Sequence, residues 1–180
     1  RMSQTIRLAR ETDVAAITQV AAETWRATYA HTVALHNQEL LLARSYAPAA
    51  LAAAIASDPA WFYVAEVDER VVGFAQFVHR PDGCGELARI YVLPAFQRHG
   101  LGRALLARGA ADLRLGGIEV CFVSVEVDNT GALAFYRRFR FRRNRAHASF
   151  LGDQIVRLIE LKAFVNDISR AAAIPPRPQP

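Results

Sequence analysis

The sequence predicts an α/β protein: a mixed β-sheet covered by helices, in the order β-α-α-α-β-β-β-α-β-α-β-β. Three observations predict it. Residues 86–106, ELARIYVLPAFQRHGLGRALL, run from an apolar strand through a sharp turn and a small-residue corner into the first turns of a helix. Glu119 to Val127 is apolar on both faces except at Ser124 and Glu126, as a central strand would be. Two further pairs of strand-like runs are joined by short turns, as in antiparallel hairpins.

In chain order, Thr5-Ile6-Arg7-Leu8-Ala9 alternates and is the first strand. Thr12 is the expected cap of a helix starting near Asp13. Val14, Ile17, Ala21 and Trp25 recur at helical spacing, so that stripe faces the core. Asn37 to Tyr46 is a second helical run. Pro48 opens a third, alanine-rich one, which Asp58-Pro59 stops. Trp61 to Glu66 and Val71 to Val78 are strands turning at Asp68-Glu69-Arg70, and Arg80 to Gly85 is a loop. After the strand Leu87 to Val92 comes a helix from Leu101 to Leu115, closed by Gly116-Gly117. Gly131 to Phe139 is helical, and the strands Phe141 to Phe150 and Ile155 to Phe164 turn at Leu151-Gly152-Asp153. One domain over residues 5–164 is expected, with residues 165–180 as a proline-rich tail.

Composition narrows the classes of function. A chain of 180 residues, 52% hydrophobic and 22% charged, has the makeup of one globular domain with a substantial core. No run approaches the ~18 apolar residues of a membrane span, so no membrane partner is expected. Cys84 and Cys121 have no metal spacing and are too few for a disulfide framework; a reduced, cytoplasmic protein is the simplest reading. His31, His36, His79 and His147 show no paired ligand spacing, so no metal is expected. The net charge of +5 is dense only at Arg137, Arg138, Arg140, Arg142, Arg143 and Arg145, and beyond Phe139 and Phe141 that cluster lacks the interleaved aromatics of a nucleic-acid surface.

Gln97-Arg98-His99-Gly100-Leu101-Gly102 sits where the strand pattern ends and the helix pattern begins. The first N–H groups of a helix have no intrahelical partner, and its dipole places partial positive charge there. Glycines let an anion approach that backbone closely. The product is a phosphate cradle, flanked by Arg98 and Arg103. It is neither a dinucleotide fingerprint, whose third small position is Leu105 here, nor a P-loop, since no Gly-Lys-Ser/Thr occurs.

The whole pattern, Ile-x-Val-x-Pro-x-x-Gln-x-x-Gly-x-Gly-x-x-Leu-Leu, resembles the acetyl-CoA pyrophosphate motif of the GNAT family of N-acetyltransferases. A second family motif, Asn-x-x-Ala-x-x-Phe-Tyr, follows at Asn129 to Tyr136. The resemblance covers roughly residues 5–164 and implies the family's mixed-sheet fold, acetyl-CoA as cosubstrate, and direct transfer to an amine. It assigns Ile90, Tyr91, Val92, Arg98, His99, Gly100, Leu101, Gly102, Arg103 and Asn129 to the cofactor. At His99 the backbone N–H matters more than the ring. A backbone N–H near Val92 would polarise the thioester carbonyl, because family members carry a strand bulge there. Asn129 would hold the pantetheine arm, cap its helix, or do both.

An alkyl ammonium has a pKa near ~10.4, so its acylation needs a base, and a departing thiolate is helped by an acid. The register of the resembled family makes Glu86 the candidate base; otherwise it is a solvated charge at a strand end. Tyr136 is the candidate acid; otherwise it is a core tyrosine. Glu126 and Asp153 are the next places to look for a base. Cys121, inside an apolar strand, is read as core. Arg140 stands where the family usually has glycine, which puts the end of the Tyr136 helix in question.

The details are similar to the bacterial PaiA-like polyamine acetyltransferase branch: the Thr-Tyr segment after the first helix, and Ser149-Phe-Leu-Gly-Asp153 in the last hairpin. That likeness offers Trp25, Tyr29 and Asp153 as substrate-binding residues. Ala88 stands where that branch often has a second Glu, and a basic protein repels a polycation at long range. A small primary amine is therefore expected as acceptor, with a polyamine, or a protein or peptide amine, as alternatives. A non-catalytic acyl-CoA-binding regulatory domain is the rival reading, and a homodimer is left open.

Overall fold

The computed structural model describes residues 2–174. The chain runs β1 (Gln4–Leu8), α1 (Val14–Tyr29), α2 (Leu35–Ser45), α3 (Pro48–Ile55), β2 (Phe62–Val67), β3 (Arg70–His79), β4 (Gly85–Val92), α4 (Leu101–Leu115), β5 (Val120–Glu126), α5 (Thr130–Arg138), β6 (Arg142–Leu151), β7 (Gln154–Phe164) and α6 (Val165–Ala173). This is the expected order with one helix added. The strands form one seven-stranded sheet in the order β1-β2-β3-β4-β5-β7-β6, antiparallel except for β4 beside β5.

Residues expected as the start of a tail make α6. Val165, Ile168 and Ala172 recur at helical spacing, are buried, and join the main core. The prolines from residue 175 onward lie outside the described residues.

Helices cover both faces of the β2–β4 half of the sheet. Two residues of β3 show the division. Phe74 packs against Tyr46, just beyond α2, and Phe77 packs against Gly109 of α4. A Cβ at Gly109 would lie 2.0 Å from the Phe77 ring. Gly109→Ala should therefore destabilise the fold by about 1–3 kcal/mol through overpacking, although alanine favours helix. Urea unfolding would measure it; a variant as stable as the parent would mean that α4 does not approach β3 this closely.

The start of α1 corrects the reading of Thr12. Thr12 lies in a short 3-10 turn, Glu11–Asp13, ahead of the helix. Buried Asp13 organises this corner: its carboxylate accepts from the Arg10 N–H at 2.7 Å and from Arg7 at 2.8 Å. Arg7 also pairs with Glu66.

The end of α5 resolves the Arg140 question. Arg140 itself takes the left-handed conformation, φ 70°, that glycine usually supplies. The N–H of Phe141 reaches back to Tyr136 O (3.2 Å) and that of Arg140 to Arg137 O (3.1 Å). This is the Schellman pattern, and the helix end keeps its shape at a backbone cost of roughly 1 kcal/mol.

Candidate active site

β4 and β5 are neighbours for only two residue pairs, Gly85 with Cys121 and Glu86 with Phe122. Beyond them β4 stays with β3, β5 stays with β7, and the two part. A wedge opens toward the carboxyl ends of both strands, edged by main-chain groups without a ladder partner. Such groups require hydrogen bonds from outside the sheet. A crevice beyond the carboxyl ends of parallel strands is also where open α/β sheets take ligands.

The chain leaving β4 turns through Pro94–Phe96 and enters α4 at this same end. Gly100 stands just before the helix with φ 84°, and Arg98 with φ 65°. The first intrahelical bond is Ala104 N–H to Gly100 O, 2.9 Å, so the N–H groups of Leu101, Gly102 and Arg103 have no intrahelical acceptor. No side chain caps them. A Cβ at Gly100 would meet nothing within 4 Å, whereas one at Gly102 would lie 3.3 Å from the Phe135 ring of α5. Gly100 thus keeps open space before the helix, and Gly102 lets α5 pack close. The His99 ring turns back to the Gln97 carbonyl (2.8 Å), leaving its main chain as the part available. The Arg103 side chain departs from expectation. Its guanidinium donates to the Ala172 and Ile174 carbonyls, each at 2.9 Å, and ties α4 to the end of α6. With the guanidinium placed so, Arg103 presents its backbone N–H to the cradle.

The strand bulge also lies elsewhere than expected. Gln76 pairs with Arg89 and Phe77 with Leu87, so the extra residue is Ala88, four positions before Val92. It changes the phase of β4. Leu87 is buried toward α4 beside Phe77, whereas Glu86, Arg89 and Tyr91 all turn to the opposite face. There Arg89 bonds Gln76 (2.7 Å) and the Ser45 carbonyl at the end of α2 (2.9 Å). Tyr91 meets Trp25, ring centroids 6.4 Å apart.

Glu86 belongs to the last strand pair before the wedge, which puts it at the apex. Its side chain is 38% exposed, with the Arg80 guanidinium at 3.9 Å. Tyr136 is buried between Phe135 and Phe141, at ring distances of 5.2 and 5.4 Å. Burial pushes its phenol well above the ordinary range, with lesser contributions from nearby Tyr29 and Cys121. Cys121 pairs with Gly85, so Tyr136 and Glu86 belong to the same end of the wedge. Burial also lifts the Cys121 thiol, to about 12, which leaves it un-ionised at neutral pH.

Trp25, Tyr29 and Tyr91 gather at the wedge, with the Trp25 and Tyr29 centroids 4.4 Å apart. Burial raises the Tyr29 phenol, and the Tyr91 and Asn129 side chains partly offset this. Asn129 also caps α5, its Oδ1 accepting the Ala132 N–H at 3.1 Å. The Glu126 carboxyl is pushed up by burial and by the charge of Asp128, and its own charge helps raise the Tyr29 phenol.

The Asp153 side chain is 75% exposed and already engaged by its neighbours. Its Oδ1 accepts from Asn37 (2.8 Å) and His36 (2.9 Å), and Gln154 bonds the Thr32 carbonyl and the Ala34 N–H. These bonds fasten the β6–β7 turn to the start of α2. Asp153 therefore holds the rim of the site in place.

Sequence reasoning missed Arg80 and Glu160. Arg80 lies over the Phe122 ring, 4.1 Å from its centre, and 3.3 Å from Glu160. Arg145 is 3.0 Å from the other oxygen of Glu160. Arg145, burial-opposed, with Asn144 and Arg80 brings the Glu160 carboxyl down to about 2. A depressed carboxyl contributes stability above its unfolded pKa of about 4.3 and loses it as pH falls through the folded value. Glu160→Gln should cost about 2 kcal/mol at pH 7 and flatten acid unfolding between roughly pH 4 and pH 2. Urea titrations across that window would test it; an unchanged slope would show that the network contributes nothing.

Among the described residues, no group of three or more His, Cys, Asp or Glu side chains could hold a metal, and no helix is long and apolar enough to cross a membrane. Known proteins are similar to this chain in sequence and in fold. The chain is 39% identical over 87 residues to a mycothiol acetyltransferase of Saccharopolyspora erythraea, covering 48% of this chain but only 29% of that protein. Its structure is similar to the PaiA N-acetyltransferase of Thermoplasma acidophilum solved in complex with coenzyme A: TM-score 0.79, 24% identity, 90% of this chain and 100% of that one. It is also similar to YncA of Salmonella typhimurium solved with its cofactor acetyl-CoA: TM-score 0.71, 26% identity, 91% of this chain and 94% of that one. The Acetyltransferase (GNAT) family profile matches residues 15–141, well over half of the sequence, and the chain belongs to that family.

Proposed function

We propose that this chain is an acetyl-CoA-dependent N-acetyltransferase that moves the acetyl group directly to a small primary amine within a ternary complex. The observation that carries the reading is the β4–β5 wedge meeting the uncapped N-terminus of α4. The fit to the cosubstrate rests on the open space at Gly100 and the free N–H groups behind it. Bound there, acetyl-CoA supplies a thioester whose acyl carbon accepts the amine and whose sulfur leaves.

The protein's residues divide the remaining work. The N–H groups of Leu101, Gly102 and Arg103 take the pyrophosphate oxygens, with Arg98 beside them. Main-chain donors on the free edge of β4, Ile90 to Val92, line the arm of the cofactor. Glu86 receives the ammonium proton, directly or through water. Tyr136, kept protonated by burial, gives its proton to the sulfur as the carbon–sulfur bond breaks. The wedge holds donor and acceptor together, so no acetyl-enzyme is needed, and the un-ionised Cys121 is a poor nucleophile for making one. The half-buried aromatic cluster of Trp25, Tyr29 and Tyr91 suits a small amine with an apolar body. It is less suited to a polycation, which would draw on Glu126 and on Glu86, already engaged as the base.

The test is thiol release from acetyl-CoA across a panel of monoamines, polyamines and N-terminal peptides. Turnover of at least one small amine, with no acetylated cysteine by intact mass, is the expected result. CoA binding with no acceptor turned over would favour the regulatory-domain reading, and preference for peptides would replace the small-amine acceptor.

A further inference from the structure

A second cavity, of about 780 Å³, lies at the opposite end of the sheet, where β5 and β6 begin, β7 ends and α6 packs. Four residue steps along β5, from Phe122 to Glu126, about 13 Å, separate its floor from the wedge mouth. Three observations single it out. Its floor is apolar, with Phe122, Phe164 and Ile174, and the last two are each 63% exposed. Its walls carry four cations, Arg140, Arg142, Lys162 and Arg170, against one carboxylate, Asp167. Asp167 is 3.6 Å from Arg170, and among the described residues Arg140, Arg142 and Lys162 have no carboxylate within 4 Å. Lys162 and Arg142 are direct cross-strand partners, a like-charge pairing that costs stability unless an anion shares it. Lastly, Arg140 reaches this wall from a left-handed backbone, φ 70°, at a place where glycine would be unstrained. Backbone strain of this kind persists chiefly where a side chain is needed.

We propose that this cavity binds a small amphipathic anion, an aromatic or acyl body bearing one carboxylate, sulfonate or phosphate, at a site separate from the cradle. The volume suits such a ligand. Phe122 and Phe164 receive the apolar body, and Arg140, Arg142 and Lys162 converge on the anionic group. Phe122 is the ladder partner of Glu86 at the wedge apex, whereas Arg140, Arg142 and Lys162, which take the anion, lie outside the wedge.

The probe is 8-anilinonaphthalene-1-sulfonate, titrated into the full chain with CoA present to keep the wedge occupied. Saturable fluorescence is expected, about tenfold weaker in affinity for Lys162→Gln and for Arg140→Gly. Cys84 lines the cavity and Cys121 is buried, so the probe should slow alkylation of Cys84 by N-ethylmaleimide. Arg140→Gly should unfold at a higher denaturant concentration than the parent, which separates its weaker binding from any loss of fold. Failure to saturate, undiminished affinity in both variants, or unprotected Cys84 would each overturn the proposal.

Discussion

Gly100→Asp is expected to remove CoA binding while leaving the fold close to its original stability. At φ 84° most side chains are strained, but Asp tolerates the left-handed region better than most, and a carboxylate at a helix N-terminus is favourable. The variant therefore blocks the cradle with little damage to the helix behind it. The new side chain would occupy the space that now holds no protein atom within 4 Å, and its charge would repel phosphate. Loss of the charge-assisted N–H contacts should weaken CoA by at least about 100-fold. Calorimetric titration with CoA, alongside urea unfolding, would measure both. CoA affinity undiminished in a folded variant would place the pyrophosphate elsewhere.

Tyr136→Phe and Glu86→Gln should each lower kcat by about 10²–10⁴-fold, with CoA affinity nearly unchanged. Phe fits the space between Phe135 and Phe141, so the first variant should keep its stability. The two should differ in pH dependence. Tyr136 stays protonated throughout the neutral range, and its loss should lower the rate at every pH. Glu86→Gln should hurt most at low pH, where few free amines exist. Amines of different pKa separate the enzyme's contribution from the substrate's, because an enzyme group keeps its midpoint. If both variants retain full turnover on a verified amine, the base and acid assignments are wrong. Glu126, beside Tyr29 and raised by burial, would then be the first base to test.

What was legible in the sequence was local. The strand, corner and helix around Gly100 are written in consecutive residues, as is the cap formed by Asn129. The first strand follows from alternation, β4 and β5 from apolar runs, and the hairpin strands from their turn residues. What was not legible depends on partners far along the chain. Asp153 looked like a free carboxylate in a hairpin, and nothing near it in sequence marks Asn37 or His36 as its ligands. Arg80 and Glu160 are eighty positions apart. The bulge at Ala88 exists only as a difference in register with β3, so no composition of β4 alone announces it. The α6 helix is a different case. Its apolar spacing at Val165, Ile168 and Ala172 was visible, but the prolines beyond drew the whole segment into an expected tail.

The Arg103 guanidinium gives the molecule a shared component. It now serves two carbonyls at the end of α6, and its Nε is buried with no partner among the described residues. It cannot serve those carbonyls and a phosphate at the front of α4 together. The two uses form a competition for one cation, and linked equilibria are reciprocal: whatever draws the guanidinium forward loosens the end of α6 by the same factor by which a tighter α6 would disfavour that move. Amide exchange in the last turn of α6 is then a remote gauge of which use Arg103 has taken.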